Sequence, residues 1–364
     1  MPLPDSELIQ YSFGSDKALG RVIALIQEQP PGTQRSTARV YARSGRQPER
    51  HLVIVHQPGW QAIEDWYGIA ATIRKIDPGI ATFVVSAAVA DEVAVRQAAL
   101  LPTLVFSPGP LGHFAPTRGK IYQGGTMGKF EQLRRLAEAG VRVPRSTVLR
   151  PDLKLDPAEW GEFVVVKPTD IGTSSQGKGF TLMRTERVRY IPPEQYPEGH
   201  PGRFGPMVVQ YFVNTGPKIN AYRVLTLFGQ ALYSVITRGL EDRPELSADD
   251  AVIESTIVAT ETLGPERWKK AWVYEADVIA LAAAAYRAIP EAPLQGCDII
   301  RDAATGTLYV LELNPGGNTW HFSSARSAEG RAKAPEFEQF RRTQLDAFGT
   351  AAHVLADRAR QEAE

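Results

Sequence analysis

The stretch that most constrains the fold is residues 295–318, which read QGCDIIRDAATGTLYVLELNPGGN. Two apolar runs flank a polar turn, a pattern that predicts a β-hairpin ending in a glycine loop. Because side chains alternate between the two faces of a strand, Glu312 and Asn314 share one face. A turn of three or five residues at 302–306 would bring Asp298 to that face, and an even turn would direct it away.

Asp298, Glu312 and Asn314 would together offer two carboxylates and an amide oxygen, with no Cys or His among them. This donor set suits a hard cation such as Mg²⁺, which keeps several waters and takes its other ligands from phosphate. The alternative is an ordinary hairpin with solvated acidic side chains. Spacing alone does not decide between a metal site and that hairpin.

Length and charge narrow the classes of protein to consider. A chain of 364 residues predicts two or three domains, and 41 basic against 41 acidic residues give no global attraction to nucleic acid or membranes. The single cysteine, Cys297, excludes an intrachain disulfide and a cysteine-based zinc site. The first residues contain no signal-peptide pattern, and the most apolar run, 278–286, is too short to span a bilayer. We therefore expect a cytoplasmic protein.

Residues 1–120 alternate between strand-like and helix-like patterns. The run HLVIVH precedes a segment whose apolar side chains recur at helical spacing, and two further β-branched runs follow. This alternation predicts a parallel α/β sheet, whose binding sites lie beyond the carboxyl ends of the strands. The loops HQPGW and SPGPLGHF lie at those ends, so they are candidate substrate loops or simple connections.

The next part of the chain combines a helix, a strand and a glycine-rich loop. A helix is expected to begin near Lys129 and stop at Gly140, and an apolar strand ends at Lys167. The loop 172–179 nearly matches a Walker A motif, but Gly179 replaces the required Ser or Thr and a β-like run follows. We interpret it as a hairpin flap whose backbone N–H groups fold over phosphates, or as a mobile turn.

Towards the C-terminus we expect two strands joined by Phe228 and Gly229, a long helix after Trp268, and one amphipathic helix from Pro335 onward. Residues 185–206 are rich in Pro and Gly and are expected to form a surface loop. The sequence leaves the structure of 241–263 open.

The order of these features resembles the ATP-grasp superfamily. The features are Lys129 before a helix, a strand ending in Lys167, the flap loop, the arginine in AYRV, and Asp298 followed by Glu312-x-Asn314. The likeness covers about 126–317. It implies a pre-ATP-grasp α/β domain at 1–120, a small lobe at 121–213 with the flap, and a large lobe at 214–364, with ATP between two sheets. It also implies an odd hairpin turn that faces Asp298 towards Glu312.

The resemblance implies roles for individual positions. Those matching nucleotide-binding positions are Lys129, Lys167, Gly172, Thr173, Ser174, Ser175, Gly177, Gln210, Tyr211, Phe212 and Val213. Asp298, Glu312 and Asn314 would hold one or two Mg²⁺ ions, with Mn²⁺ as the alternative ion. Arg223 and Arg238 would point at the transferred group and the carboxylate, and His321 is either a base for the acceptor amine or a structural histidine.

The implied activity is an ADP-forming carboxylate–amine ligase that passes through an acyl phosphate. The alternatives are a carboxylate–thiol ligase and a non-catalytic ATP-binding regulator. Small-molecule substrates are expected, with no nucleic acid or membrane partner. The resemblance is also consistent with a homodimer, since such enzymes often form dimers. Two segments depart from the family pattern. Asn318, Trp320 and His321 follow the glycine turn, and we assign acceptor recognition to them. Asn214 and Lys218 occupy the region in which relatives usually carry an acidic residue that binds the ribose.

Overall fold

A computed structural model describes residues 36–169, 179–260, 263, 265–333 and 335–364. Where described, the chain divides into two compact units. The first comprises Met1–Gly124, Trp320–Lys333 and Phe348–Glu364, and the second comprises Gly125–Thr319 and Ala334–Ala347. None of the helices in these described ranges has both the length and the apolar character needed to cross a membrane.

The strands, in chain order, are β1 (Arg39–Tyr41), β2 (Arg50–His56), β3 (Ile80–Ser86), β4 (Thr103–Ser107), β5 (Lys120–Gln123), β6 (Ser146–Val148), β7 (Phe163–Pro168), β8 (Thr181–Arg184), β9 (Met207–Tyr211), β10 (Asn220–Leu227), β11 (Gln230–Gly239), β12 (Trp268–Trp272), β13 (Leu294–Arg301) and β14 (Leu308–Pro315). The α-helices are α1 (Ile63–Ile76), α2 (Glu92–Ala98), α3 (Lys129–Glu138), α4 (Pro157–Trp160), α5 (Asp250–Glu254), α6 (Ala276–Ala288), α7 (Ala328–Lys333), α8 (Pro335–Thr343) and α9 (Ala347–Glu362).

The first unit is built on one sheet with the strand order β1-β3-β2-β4-β5. Strands β3, β2, β4 and β5 are parallel, and β1 is an antiparallel edge strand. Val53 and Val55 pack with α2 on one face, while Trp66 of α1 contacts Phe106 of β4 on the other. Burial on both faces explains why the central strands are continuous β-branched runs rather than alternating ones. The predicted parallel α/β class is confirmed.

The end of the chain belongs to the first unit. Helix α9 buries one alanine- and leucine-rich face, and the backbones of Glu364 and Thr103 exchange hydrogen bonds of 2.8 and 3.1 Å. This differs from the expected large lobe at 214–364, which included the closing helix. The single helix expected from Pro335 is divided into α8 and α9, with Asp346 at a positive φ of 44° between them.

The second unit contains two antiparallel sheets, a four-stranded one in the order β6-β9-β7-β8 and a five-stranded one in the order β12-β11-β10-β13-β14. Helices α3 and α6 pack against one face of the five-stranded sheet, where Leu136, Val278 and Ala282 contact Tyr222 and Val224. This two-sheet arrangement is the one expected for the ATP-grasp part, and the opposite face of the five-stranded sheet carries the site described below.

One expected boundary changes. The long helix predicted after Trp268 begins only at Ala276, because residues 268–272 form β12 and pair with β11. Pairing with a neighbouring strand overrides local helical preference there. Residues 185–206 are irregular, as expected, with short 3₁₀ turns, and the ambiguous segment contains the short helix α5.

Candidate functional site

The hairpin of β13 and β14 brings Asp298 opposite Glu312, by a route that the sequence did not suggest. Arg301 pairs with Leu308, so the turn spans 302–307, an even number of residues. An even turn alone would direct Asp298 away. A one-residue β-bulge at Leu311 shifts the register, and Asp298 pairs with Glu312. The expected odd turn is therefore wrong, and the expected facing of the two carboxylates is present.

Asp298 forms a two-pronged ion pair with Arg223 of the neighbouring strand β10. Arg223 Nη2 donates to Asp298 Oδ2 at 2.7 Å, and Arg223 Nε donates to the other carboxylate oxygen. Burial alone would lower the pKa of Arg223, but the charge and hydrogen bonds of Asp298 raise it above its usual range. The guanidinium is thus a fixed positive charge beside the hairpin.

Glu312 forms a second ion pair, with Lys129 at the start of α3. Lys129 Nζ lies 2.7 Å from Glu312 Oε2. Burial would raise the pKa of Glu312, but the adjacent Lys129 charge lowers it, so the carboxylate stays ionised. The side-chain nitrogen of Asn314 donates to Asp298 Oδ2 at 3.0 Å and to Glu312 Oε1 at 3.3 Å. The three predicted metal ligands therefore meet at one place.

Lys167 and Gln210 lie together on the smaller sheet. Lys167 Nζ donates to Gln210 Oε1 at 2.8 Å, and Gln210 Nε2 donates to Ser146 Oγ at 2.9 Å. Burial lowers the pKa of Lys167 to about 8, an effect that the Glu312 charge opposes and the Lys129 charge reinforces. These interactions connect the lysine of the smaller sheet electrostatically with the hairpin of the larger one.

Arg238 is not brought to this site. It pairs with Asn220, three residues from Arg223, so the two arginines lie on opposite faces of the sheet, and Arg238 is exposed. The cause is a β-bulge in β11 between the Phe228–Gly229 turn and the arginine. The expectation that Arg238 acts beside Arg223 is corrected on this ground.

The remaining predicted residues fall in three places. Gly172, Thr173, Ser174, Ser175 and Gly177 lie outside the described residues. Tyr211 ends β9 and is followed by Phe212 and buried Val213, and the Arg243 guanidinium lies 5.0 Å from the Phe212 ring centre. His321 belongs to the first unit, next to Trp320, which is fully buried and donates its indole N–H to Asp65 at 2.8 Å. Trp320 is thus a core residue there, and Asn318 is exposed.

Two features of the site were not anticipated. Arg341 of α8 lies 5.5 Å from the ring centre of Tyr233 and 5.8 Å from that of Trp272. Both rings are on the Arg223 face, since Tyr233 pairs with Leu225 and Trp272 with Val235. A second guanidinium therefore stands over this face. The FRRT motif alone does not predict this position. The side chain of Gln344, the residue after α8, hydrogen-bonds to the backbone of Ser234 in β11 and so holds the helix against the sheet.

Gly296 is required by the close packing of this site. A Cβ atom at Gly296 would lie 2.1 Å from Thr319 Oγ1 and 3.4 Å from Arg223 Cδ. Only glycine lets the Arg223 stem and Thr319 lie across strand β13. The glycine opposite Asn314 in the register is the sequence signal that could have revealed this contact.

The donor set contains few acids for a resident metal. Within the described ranges, no group of three or more His, Cys, Asp or Glu side chains is suited to a metal ion. Two carboxylates and one amide are present instead, and each carboxylate already has a basic partner. Such a site suits a cation that arrives with its own anionic ligands.

No protein-family model and no curated protein matches the chain. Among solved structures, it is similar to the ATP-grasp ligase PsnB complexed with minimal precursor, at 16% identity and a TM-score of 0.45, covering 85% of this chain and 99% of that one. It is also similar to the D-alanine–D-alanine ligase from Bacillus anthracis complexed with ATP, at 12% identity and a TM-score of 0.40, covering 85% and 98%. The macrocyclase MdnC from Microcystis aeruginosa MRC, bound with precursor peptide MdnA, is similar at 11% identity and a TM-score of 0.43, covering 84% and 99%. At these identities, function has to be inferred from the residues of the site itself.

Proposed function

We propose that this chain belongs to the ATP-grasp superfamily and is an ATP-dependent ligase that joins a substrate carboxylate to an amine. One observation carries the proposal: Asp298, Glu312, Asn314 and Arg223 converge on one sheet face, with Lys129 ion-paired to the same cluster. Acids that can bind a metal beside cations that can bind phosphates are what phosphoryl transfer needs.

The residues fit Mg²⁺ bound together with a nucleotide. Asp298 and Glu312 supply anionic oxygens, and the amide of Asn314 would present its oxygen to a cation in place of the N–H bonds it now makes. An amide can be turned about its terminal bond to make this exchange. Lys129, released from Glu312, and Lys167 would then lie against phosphate oxygens. Gln210–Val213 would contact the adenine.

Mg²⁺ and ATP would together supply the phosphoryl group that converts a carboxylate into an acyl phosphate, which an amine can attack. The chain's own part is to orient and to balance charge. Asp298 fixes Arg223 through Nε and Nη2. The N–H groups of Arg223 that are not bonded to Asp298 would hold an oxyanion of the carboxylate or of the transferred phosphoryl group on the sheet face. Because Arg223 is mostly buried, its charge acts in a medium of low polarity, where its electrostatic attraction to an oxyanion is stronger than in water.

The direct test is ADP release from ATP and Mg²⁺ across a panel of amino acids and other small carboxylates, each tried with and without an added amine. The expected result is ADP release that depends on a carboxylate and is accompanied by an amide product. Product with a thiol in place of an amine would favour the thiol ligase. ATP binding without ADP release from any pair would favour the regulator and contradict the proposal.

Lys167 gives a prediction about pH. Its pKa is lowered by burial to about 8 from 10.5, so ATP affinity of the wild type is expected to fall as pH rises through about 8, as the positive charge is lost. Lys167→Met should bind ATP weakly, with no such pH dependence, whereas Lys154→Met, which changes an exposed lysine, should behave as wild type. Titration calorimetry from pH 6 to about 9.5, spanning the lowered pKa, measures this.

The contribution of Lys167 to folding stability should increase with pH, whereas its contribution to ATP affinity should decrease. The unfolded chain keeps the lysine proton up to pH about 10.5 while the folded chain releases it near 8, so this group's contribution to stability increases with pH between those values. Below pH 8 the buried charge opposes folding. Lys167→Met is therefore expected to melt at the same or a higher temperature than wild type at pH 7. A clearly lower melting temperature would contradict this account of Lys167.

A further inference from the structure

We propose that the first unit contains a binding site for an α-amino acid, at the carboxyl ends of β2 and β4. In the strand order β3-β2-β4, the chain leaves β2 to form β3 on one side of it and then crosses over to form β4 on its other side. Helices α1 and α2 accordingly pack on opposite faces of the sheet. The crevice between two such strands, beyond their carboxyl ends, is where open α/β sheets bind ligands.

The two loops at that crevice are held together. Gln57, just after β2, donates from Nε2 to Ser107 Oγ at 3.0 Å and to Pro110 O at 2.5 Å. A Cβ atom on Gly109 would lie 2.9 Å from the Trp60 ring, so glycine is needed for the second loop to approach the first. The loops therefore form one preorganised wall.

Three polar side-chain atoms, at the last residue of β2 and in the loop after it, are buried and have no hydrogen-bond partner in the described part of the chain. They are Nδ1 of His56 and both amide atoms, Nε2 and Oε1, of Gln61. The two side chains are 7% and 5% exposed, respectively. A buried polar group without a partner costs stability, so groups clustered in this way suggest a function that offsets the cost.

The protonation pattern says what these atoms can bind. His56 Nε2 lies 2.8 Å from the Gln61 carbonyl oxygen, which can only accept, so this nitrogen carries the proton. In the neutral ring Nδ1 is then an acceptor. Nδ1 and Gln61 Oε1 could each accept from an N–H donor of a ligand, and Gln61 Nε2 could donate to a ligand oxygen.

The surroundings favour an ammonium group beside a carboxylate. Buried Asp65, in the first turn of α1, adds a carboxylate close to this loop and accepts from Ser323 Oγ at 2.6 Å. Ser323 Oγ in turn accepts from Ala62 N at 2.9 Å. Ala62, the N-cap of α1, has no side-chain oxygen that could cap the helix. The backbone N–H groups of Ile63 and Glu64 in the first turn would therefore bind the carboxylate. An α-amino acid carries both groups at the required closeness. A role of the amino acid as the amine or the carboxylate of the ligation rests on the proposed function. Binding of the amino acid to this site does not.

The experiment measures the melting temperature of the full chain with each proteinogenic amino acid, with and without a non-hydrolysable ATP analogue and Mg²⁺. Wild type is compared with Gln61→Leu, which removes both unpartnered amide atoms at nearly constant volume. The matched control is Gln97→Leu, because Gln97 on α2 is also buried in this unit and has an unpartnered Nε2, yet lies outside the two loops.

The expected result is that at least one amino acid raises the melting temperature of wild type and Gln97→Leu, and that Gln61→Leu weakens its binding about tenfold or more. His56→Phe should weaken the same amino acid and leave ATP affinity unchanged. Binding retained by Gln61→Leu, equal losses in both glutamine variants, or no stabilising amino acid would overturn the site. Amino-acid binding without ADP release would leave this site standing and remove the ligase function instead.

Discussion

Replacing Glu312 by Gln is expected to reduce ATP-dependent turnover by about a thousandfold, the usual scale for losing one preorganised charge contact to the reacting group. Folding should change little. The ion pair with Lys129 leaves both side chains about 30% exposed, so the lysine can turn to water when its partner is neutralised, at a cost of about 1 kcal/mol or less. ADP release and a melting curve for the same sample measure the two effects.

The control for this variant is Glu131→Gln. Glu131 lies on the same helix as Lys129 and forms an ion pair of 2.7 Å with Arg134, but both side chains are nearly half exposed. Turnover by Glu131→Gln should equal that of wild type. Full activity in Glu312→Gln, with Mg²⁺ as the only divalent ion, would remove Glu312 from the metal site.

Asp298→Ala is expected to lose both turnover and stability. Its carboxylate is the counter-charge of Arg223, and the two side chains are only 12% and 22% exposed. Removing one partner of such a pair leaves a charge buried without compensation, which costs about 3 to 5 kcal/mol. Denaturant unfolding should therefore show a much lower midpoint for Asp298→Ala than for Glu312→Gln.

A double-mutant cycle separates the two roles of Asp298. Arg223→Ala with Asp298→Ala is expected to be more stable than the sum of the single changes predicts, because no unpaired charge remains, while turnover stays abolished. Additive losses of stability would mean that the two residues do not form the ion pair. Recovery of turnover in the double variant would mean that neither acts on the reacting groups.

Two β-bulges determine which of the predicted side chains face the site. The period of two correctly placed Glu312 and Asn314 on one face. Without the bulge at Leu311, Asp298 would face the other way; without the bulge in β11, Arg238 would share the face of Arg223. A bulge depends on how a strand fits its partners in the sheet, so turn length alone cannot reveal it.

Order along the chain was more informative than local geometry. Lys129 at a helix start, Lys167 at a strand end and the parallel sheet of the first unit were all predictable from periodicity and flanking glycines. The burial of Trp320 against Asp65 and the position of Arg341 over Tyr233 were not, because each depends on residues more than 100 positions apart in the chain. Long-range packing of this kind leaves no periodic signal.

The most direct measurement of the proposed chemistry is oxygen transfer. A carboxylate that supports ADP release would be labelled with ¹⁸O in both oxygens and turned over with its amine, ATP and Mg²⁺, and the inorganic phosphate analysed by mass spectrometry. Attack of the carboxylate on the γ-phosphorus predicts one ¹⁸O atom in each phosphate released. Glu312→Gln should release about a thousandfold less of this labelled phosphate in the same time. Phosphate free of ¹⁸O, formed together with amide product, would contradict activation of the carboxylate by phosphoryl transfer.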